Sequence, residues 1–584
     1  MHSRMLLWML AFAASTLPLG LHAQAAKYLE QKPLADVIKT SVRDCGPTAG
    51  NNLPVIAWGA DIATSFANGN AKRTAAGSIF AERKLDVTLY RQDDFKQQVE
   101  DFLACKTPFL RGTVGMIAQA AEVLARDPRT APVFIYEHSD SVGGDVLVVK
   151  PHIKTLADLC GKTVALQLYG PHVDLAARVS ADNCGGNPAA FRVKWVPDLL
   201  KLNDKSWSAA MAFHDDPSVD AAFVISPDAS ALTSGGKVGT GAEDSVKGAW
   251  SPFSTKTLNT VVKDAYVVRR DHFDAHRTQM QHLVGAFMLA EERLRPLMKS
   301  GTGDAYKQMI SAAAELLMDS KDMVSDTAGM YGDAELAGYR GNVKFFGDPN
   351  NPRGFDKLVP EVQLQLISLG LLSRTVPFAQ AKWDYAALAV GLTDTANVEL
   401  PRFDTEAVQQ LVERRAKQGE KKEGVLIEFE IYFGPNQNAF PAEQYQASFD
   451  KAIQLATTYG GALMTIEGHS DPLGYLKLKK EGNPPMVLSQ ARQAAKNLSY
   501  SRANAVKDSV IAFAKGKGIT LDPSQFGIAG YGVSQPNTPS CRMDADGDIS
   551  LTCAPATKQE WDASRRVVFK IINVEAETAV FKPL

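Results

Sequence analysis

Apolar and polar positions along this chain follow two rhythms. Leu85-Asp86-Val87-Thr88-Leu89-Tyr90 alternates residue by residue, as a half-buried strand does. Pro54-Val55-Ile56-Ala57-Trp58, Asp145-Val146-Leu147-Val148-Val149, Thr163-Val164-Ala165-Leu166 and Ala221-Ala222-Phe223-Val224 are short apolar runs of the kind that buried strands show. Helical patterns separate them: one opened by polar Asp61 and Thr64, one over residues 95–102, and a short one over residues 155–159. Strands alternating with helices between about residues 53 and 392 imply parallel βαβ units. Further on, residues 404–417 predict a single helix, with Asp404 able to cap it and Val408, Leu411 and Val412 forming its apolar stripe. Residues 418–424 form a charged, Gly-bounded linker.

Length and charge narrow the picture. A chain of 584 residues suggests three or four domain-sized units. A net charge of −2 argues against nucleic-acid binding, which calls for a basic stripe. Residues 1–25 read as a cleaved secretory signal: Arg4, an apolar run from Met5, interruption by Ser15, Thr16 and Pro18, then the small-residue site Ala23-Gln24-Ala25. No Cys stands there for lipidation, and no other segment approaches the roughly 20 apolar residues of a membrane span. The expected form is therefore secreted, with no membrane span after cleavage. Cysteine usage agrees, since six cysteines in a secreted chain favour disulfides. Proximity suggests 45–105, 160–184 and 541–553, although sequence alone leaves the connectivity open. The absence of any CxxC pair disfavours zinc and thioredoxin-like chemistry.

Four signatures then occur in order near the C-terminus. They are Gly468-His469-Ser470-Asp471, Leu498-Ser499-Tyr500-Ser501-Arg502-Ala503, Gly530-Tyr531-Gly532 and Ser564-Arg565-Arg566-Val567. Together they resemble the OmpA-like peptidoglycan-binding domain. The resemblance implies an α+β unit over residues 425–584, a periplasmic location against the cell wall, and a ligand in the diaminopimelate residue of the peptide stem. That ligand carries an ammonium beside a carboxylate. Asp471 would take the ammonium. Arg502, in the first turn of a helix capped by Ser499, would take the carboxylate with its guanidinium fork and free backbone N–H groups. The bland alternative is that Asp471 and Arg502 only pair with each other. Arg565 and Arg566 either line the same groove or are structural. The 27 residues between Asp471 and Ser499 are more than the family usually has; Lys479-Lys480 and Pro484-Pro485 lie in this surplus, and an insertion here would add glycan contacts or partly cover the site.

Residues 26–400 resemble a second family. Leu156-Ala157-Asp158-Leu159-Cys160-Gly161-Lys162-Thr163-Val164-Ala165, Val219-Asp220-Ala221-Ala222-Phe223-Val224-Ile225-Ser226-Pro227 and Asn342-Val343-Lys344-Phe345-Phe346-Gly347 are similar to segments of ABC-transporter solute-binding proteins of the nitrate/sulfonate type. This implies an α/β, two-lobed periplasmic-binding-protein fold with a solute in the cleft and an ABC permease as possible partner. Trp58, Thr64, Ser65, Thr113, Tyr169, Gly170, Ser226 and Asp228 stand where strands end or helices begin, the usual ligand positions in open α/β sheets. Any one of them is otherwise an ordinary cap or turn. Asp228 would oppose an anion, which weakens sulfonate or nitrate as the ligand and leaves a cationic or zwitterionic one open.

Enzyme signals are weak. His272 and His276 stand four apart without the Glu of an HExxH pattern and read as a solvated helix face. Gly143-Gly144 and Gly235-Gly236 lack a phosphate loop's spacing, and no Gly-x-Ser-x-Gly elbow occurs. Asp544 to Asp548 resembles a calcium loop out of register and reads better as a stapled acidic turn. No enzyme activity, cofactor or metal is expected. The expectation is a periplasmic solute receptor held to the wall, with residues 401–424 as helix and linker. Its rival is a structural wall protein whose receptor-like half binds a protein partner, and an enzyme on the same fold is a distant third.

Overall fold

The chain enters through β1 (Asn52–Val55), helix α1 (Asp61–Ala67), β2 (Thr88–Arg91), β3 (Phe109–Thr113), α2 (Val114–Gln119) and the long β4 (Pro132–Ser141). It crosses to β5 (Asp145–Val149), β6 (Thr163–Gln167), α3 (Val173–Asn183), β7 (Arg192–Val196), β8 (Ala221–Ile225) and β9 (Trp250–Ser254). It returns through β10 (Lys263–Arg269), α4 (Arg277–Ser300), β11 (Ala334–Leu336), α5 (Phe355–Ser368) and β12 (Ala379–Gln380). The remainder is α6 (Thr405–Gln418), β13 (Val425–Tyr432), α7 (Gln446–Thr458), β14 (Leu463–His469), α8 (Leu473–Lys480), α9 (Pro485–Gly516), β15 (Phe526–Gly532) and β16 (Arg566–Ile572). This computed structural model describes residues 28–200, 206–235, 238–242, 244–395, 403–418, 424–435, 437, 442–545 and 548–573. The expected secretory segment and most of the expected linker lie outside the described residues.

The first two thirds form two α/β lobes. One holds the parallel pair β1-β2 and the sheet β11-β4-β10-β3, with β12 added beside β4. The other is the sheet β7-β6-β8-β5-β9. Parallel pairing holds for β1-β2, β4-β12, β6-β7 and β6-β8, whereas the strands that leave and re-enter the lobes pair antiparallel in β4-β10, β5-β8 and β5-β9. β5 is buried along its whole length, which is why it reads as an unbroken β-branched and apolar run. The apolar run at residues 54–58 overshoots its strand. Ala57 donates its N–H to Asp93 Oδ1 at 2.7 Å and Trp58 donates to the Ile56 carbonyl, so the backbone turns after Val55.

Two short crossings join the lobes, β4 to β5 and β9 to β10, and Thr255 fastens them together. Its hydroxyl lies 2.8 Å from Ser141 Oγ and accepts the N–H groups of Gly143 and Asp145 at 3.0 and 3.1 Å. Ser141 N–H also donates to the Val262 carbonyl on the return crossing.

The C-terminal sheet has the order β13-β16-β14-β15, with β14 and β15 parallel and the other pairs antiparallel. α6 packs on it through Val408, Leu411 and Val412 against Leu463, Ala529 and Ile572. This unit docks on the return crossing. Gly461 N–H donates to the Thr257 carbonyl, Thr260 Oγ1 donates to the carbonyls of Thr457 and Thr458, and Asn573 Nδ2 donates to the Pro252 carbonyl at 2.7 Å. A Cβ on Gly461 would stand 1.4 Å from the Lys256 carbonyl oxygen, so only glycine admits this approach. The disulfides Cys45–Cys105, Cys160–Cys184 and Cys541–Cys553 are all formed.

Candidate functional site

The two lobes touch along the expected cleft through polar side chains of both. Trp58 donates its indole N–H to Ser139 Oγ at 3.0 Å, and its ring lies 2.5 Å from where a Cβ on Gly144 would be. Ser226 Oγ donates to Asp333 Oδ2 of the opposite lobe at 2.7 Å. Thr113 caps α2 by accepting the Met116 N–H. Thr64 is buried inside the first lobe, 3.3 Å from His138 Nε2, and Ser65 is buried beside it on α1. Tyr169, at φ 64°, donates its hydroxyl to the Lys32 carbonyl, and the Gly170 carbonyl faces Gln119 Nε2 at 3.5 Å. Two of these polar contacts cross the lobe boundary, Ser226 with Asp333 and Gln119 with the Gly170 carbonyl. Two small cavities of ≈ 10 Å³ each lie elsewhere, one beneath Leu53, Val87, Phe109 and Leu283, the other beside Arg295, Arg340 and Asp394.

Four residues not singled out in the sequence complete this layer. His172 Nε2 lies 2.7 Å from Asp145 Oδ1. Asp174, in the first turn of α3, presses its carboxylate against α2, with Oδ1 2.2 Å from the Cβ position of Gly115. Gln119 directs its NH2 to the Gly115 and Gly170 carbonyls. The polar cluster that follows the Tyr169-Gly170 turn at a helix start was the available signal. Burial pushes the Asp174 carboxyl up to about 7. Burial also pushes Asp228 up to about 6, with the nearby His172 pulling it back.

Two buried cations of the first lobe are already paired. Arg111 is fully buried and reaches Asp61 at 2.8 Å and Asp264 at 2.7 Å. Lys263 pairs with Glu137 and Asp140. His138 is fully buried against Glu291, and burial holds it well below its ordinary range, so the ring is neutral. His272 departs from expectation, whereas His276 is exposed as expected. They stack at 4.2 Å across the break between two helices, and His272 is buried against the edge of Phe109 instead of facing solvent.

In the C-terminal unit α9 lies directly on β14 and β15. A Cβ on Gly468 would stand 1.9 Å from the Ser499 carbonyl oxygen, and one on Gly532 2.9 Å from the Lys496 nitrogen. The glycines of two of the four signatures therefore serve helix-to-strand contact. Ser499 Oγ accepts the Gly532 N–H at 2.9 Å and does not cap a helix, because α9 begins at Pro485. Arg502 consequently sits in mid-helix without free backbone N–H groups beside it, which corrects the first-turn expectation. The surplus segment folds into α8 and the first turns of α9, a continuous helix the glycine-poor sequence supports. Arg502 is buried and donates to the Gln437 carbonyl at 2.8 Å and the His469 carbonyl at 3.4 Å. Burial lowers its pKa, while Asp471 raises it. No ion pair joins Asp471 and Arg502 among the described residues; Asp471 Oδ1 accepts the Leu473 N–H at 3.3 Å. Arg565 is buried on the Trp561 ring and donates to the Phe433 and Trp561 carbonyls, while Arg566 pairs with Glu430 at 3.1 Å. Lys479 pairs with Asp544 and Asp548, so it neutralises the acidic turn and is not free for glycan.

No protein-family model matches the chain, and no curated protein matches it. Solved structures similar to it include the periplasmic aliphatic sulphonate binding protein SsuA from Escherichia coli, at 16% identity and TM-score 0.38, covering 56% of this chain and 90% of that one. Another is a putative periplasmic sulfonate-binding protein SsuA from Methylobacillus flagellatus KT, at 13% identity and TM-score 0.39, covering 61% of this chain and 97% of that one. A third is the periplasmic nitrate-binding protein NrtA from Synechocystis PCC 6803, at 11% identity and TM-score 0.35, covering 57% of this chain and 93% of that one. Scores of this size say nothing about ligand or site, and the ligands in those names belong to those proteins.

Proposed function

We propose that the chain is a solute-binding receptor of the bacterial periplasm, held non-covalently to peptidoglycan by its C-terminal unit, with an ABC permease as the partner that would receive the solute. The observation that supports the receptor half is the pair of crossings fastened at Thr255, on either side of which two α/β lobes meet over a polar layer. Such a layer closes and opens by a hinge at the crossings. Trp58, Thr113, Ser226 and Asp228 border it and are the solute contacts we favour among the eight expected. No catalytic role is assigned to any of them. For the wall half, Asp471 stands partly exposed near the buried Arg502, an anion and a cation for the ammonium and carboxylate of a diaminopimelate stem.

The contact between the lobes also favours a second reading, a structural wall protein whose receptor-like half binds a protein partner, because the lobe faces already satisfy many of their own polar groups. A thermal-shift screen of small solutes on the full chain separates the two. A solute that binds the native state must raise its melting temperature, and the receptor reading expects at least one that does. Wall binding without any stabilising solute would favour the structural reading.

A further inference from the structure

We infer that the layer between the lobes recognises a small organic cation through its N–H groups, an amine of the primary-ammonium or guanidinium class, and not an oxyanion. This rests on the receptor reading above and names its solute class. Gln119 Oε1, His172 Nδ1, Asp174 Oδ1 and Asp228 Oδ2 are enclosed and have no hydrogen-bond partner among the described residues. Gln119, His172 and Asp174 are each at most 2% exposed. The amide oxygen accepts, and so do the two carboxyl oxygens once ionised. The Gln119 NH2 is fixed by two carbonyls, so its oxygen faces the other way. His172 spends Nε2 on Asp145 Oδ1 at 2.7 Å, so its enclosed Nδ1 is the ring atom left without a partner. Asp174 and Asp228 both lie within electrostatic reach of His172, so the four atoms belong to one neighbourhood.

Among the described residues, Arg111, Lys263 and Arg353 bring no spare charge to them. Arg111 is held by Asp61 and Asp264, Lys263 by Glu137 and Asp140, and Arg353, whose charge also reaches Asp174, by Glu361. A buried carboxylate without a partner is costly, and a ligand that supplies both charge and N–H donors removes that cost. An oxyanion would meet two carboxyl groups. A quaternary ammonium would answer the charge and leave the lone pairs unmet. The matching ligand carries several N–H groups on a positive centre.

Calorimetry on the full mature chain tests this with 1,4-diaminobutane and agmatine, against tetramethylammonium, calcium chloride and ethanesulfonate. The expected result is binding of at least one of the two amines, with tetramethylammonium weaker by at least about tenfold and no heat from ethanesulfonate. Asp174→Asn and Asp228→Asn are each expected to weaken the amine by at least about tenfold, with native circular dichroism retained. Binding of ethanesulfonate without the amines would overturn the cation class and leave the receptor reading standing. Equal binding of tetramethylammonium, or calcium in place of the amines, would overturn the N–H requirement. Amine binding untouched by both substitutions would overturn the site. No binding by any solute of either charge would remove the receptor reading as well.

Discussion

Arg111 and Asp174 are both enclosed charges, one in each lobe, and they differ in what surrounds them. Arg111 has two carboxylates within 2.8 Å and stands between them like a rivet. Although burial opposes its charge, Asp61 and Asp264 raise its pKa above the ordinary arginine range. Asp174 leaves one carboxylate oxygen without a donor, and burial pushes it up to about 7. In the C-terminal unit Arg565 repeats the Arg111 pattern, held by Asp562 and two backbone carbonyls, whereas Arg502 reaches carbonyls alone and has no anion paired with it among the described residues. The lesson is that burial alone does not mark a site. A buried charge with a complete set of partners is architecture, whereas a buried charge with partners missing is a place where something else fits.

Arg111→Met breaks the comparison at its strongest point. It leaves Asp61 and Asp264 buried without their cation, so the first lobe should lose about 3–5 kcal/mol of stability, read by denaturant unfolding. Retention of wild-type stability would show that the triad is not the rivet described. Gly461→Ala comes next, because its Cβ would collide with the Lys256 carbonyl oxygen. Overpacking of this kind costs about 1–3 kcal/mol, and here the strain is relieved by undocking the C-terminal unit, seen as a larger radius in solution scattering.

Asp174→Asn should act in the opposite direction and stabilise the chain by about 1–2 kcal/mol near pH 8. The sign follows from linkage. Asp174 and Asp228 titrate at about 7 and about 6 in the folded protein, above their ordinary 3.8. The folded state therefore holds more protons than the unfolded chain, and the stability gained from that protonation is complete below the ordinary value and lost as pH rises through the folded one. His172, Asp145 and Arg353 act on Asp174 and sharpen or blunt this slope. Melting temperatures from about pH 5 to pH 8 should fall for wild type and flatten for Asp174→Asn. A wild-type curve that rises over this window would contradict the burial argument.

Asp471→Ala should have the smallest effect on stability, within about 0.5 kcal/mol, since the side chain is partly exposed and accepts one backbone N–H. It should nonetheless abolish most co-sedimentation with diaminopimelate-type peptidoglycan. Arg502→Ala would also remove that binding, but it would destabilise the unit because the carbonyls of Gln437 and His469 lose their donor. Unchanged co-sedimentation of Asp471→Ala would sink the wall site.

Much of this organisation was legible in the sequence, for identifiable reasons. The runs at Asp145–Val149 and residues 221–224 are strands because both faces are buried, and such runs announce themselves. The helix at Thr405–Gln418 was visible from its stripe and cap: Asp404 accepts the N–H groups of Glu406 and Ala407. Ser499 misled, because Ser at a helix boundary and Ser inside a helix look alike until the residues before it are shown to be helical. His272 misled for the converse reason, since charged neighbours in sequence conceal a ring turned inward onto Phe109. The polar layer was only half visible. Ser226 and Asp228 follow a recognisable strand, but the role of Asp174 depends on α2 arriving from the other lobe, and no local pattern encodes that meeting.

The most direct test of the central claim is solution scattering of the full chain with and without 1,4-diaminobutane, for wild type and Asp174→Asn. If the layer between the lobes lacks only N–H donors, the amine should reduce the radius of gyration of wild type and leave that of Asp174→Asn unchanged. A wild-type radius indifferent to the amine, or the same compaction in both proteins, would contradict it.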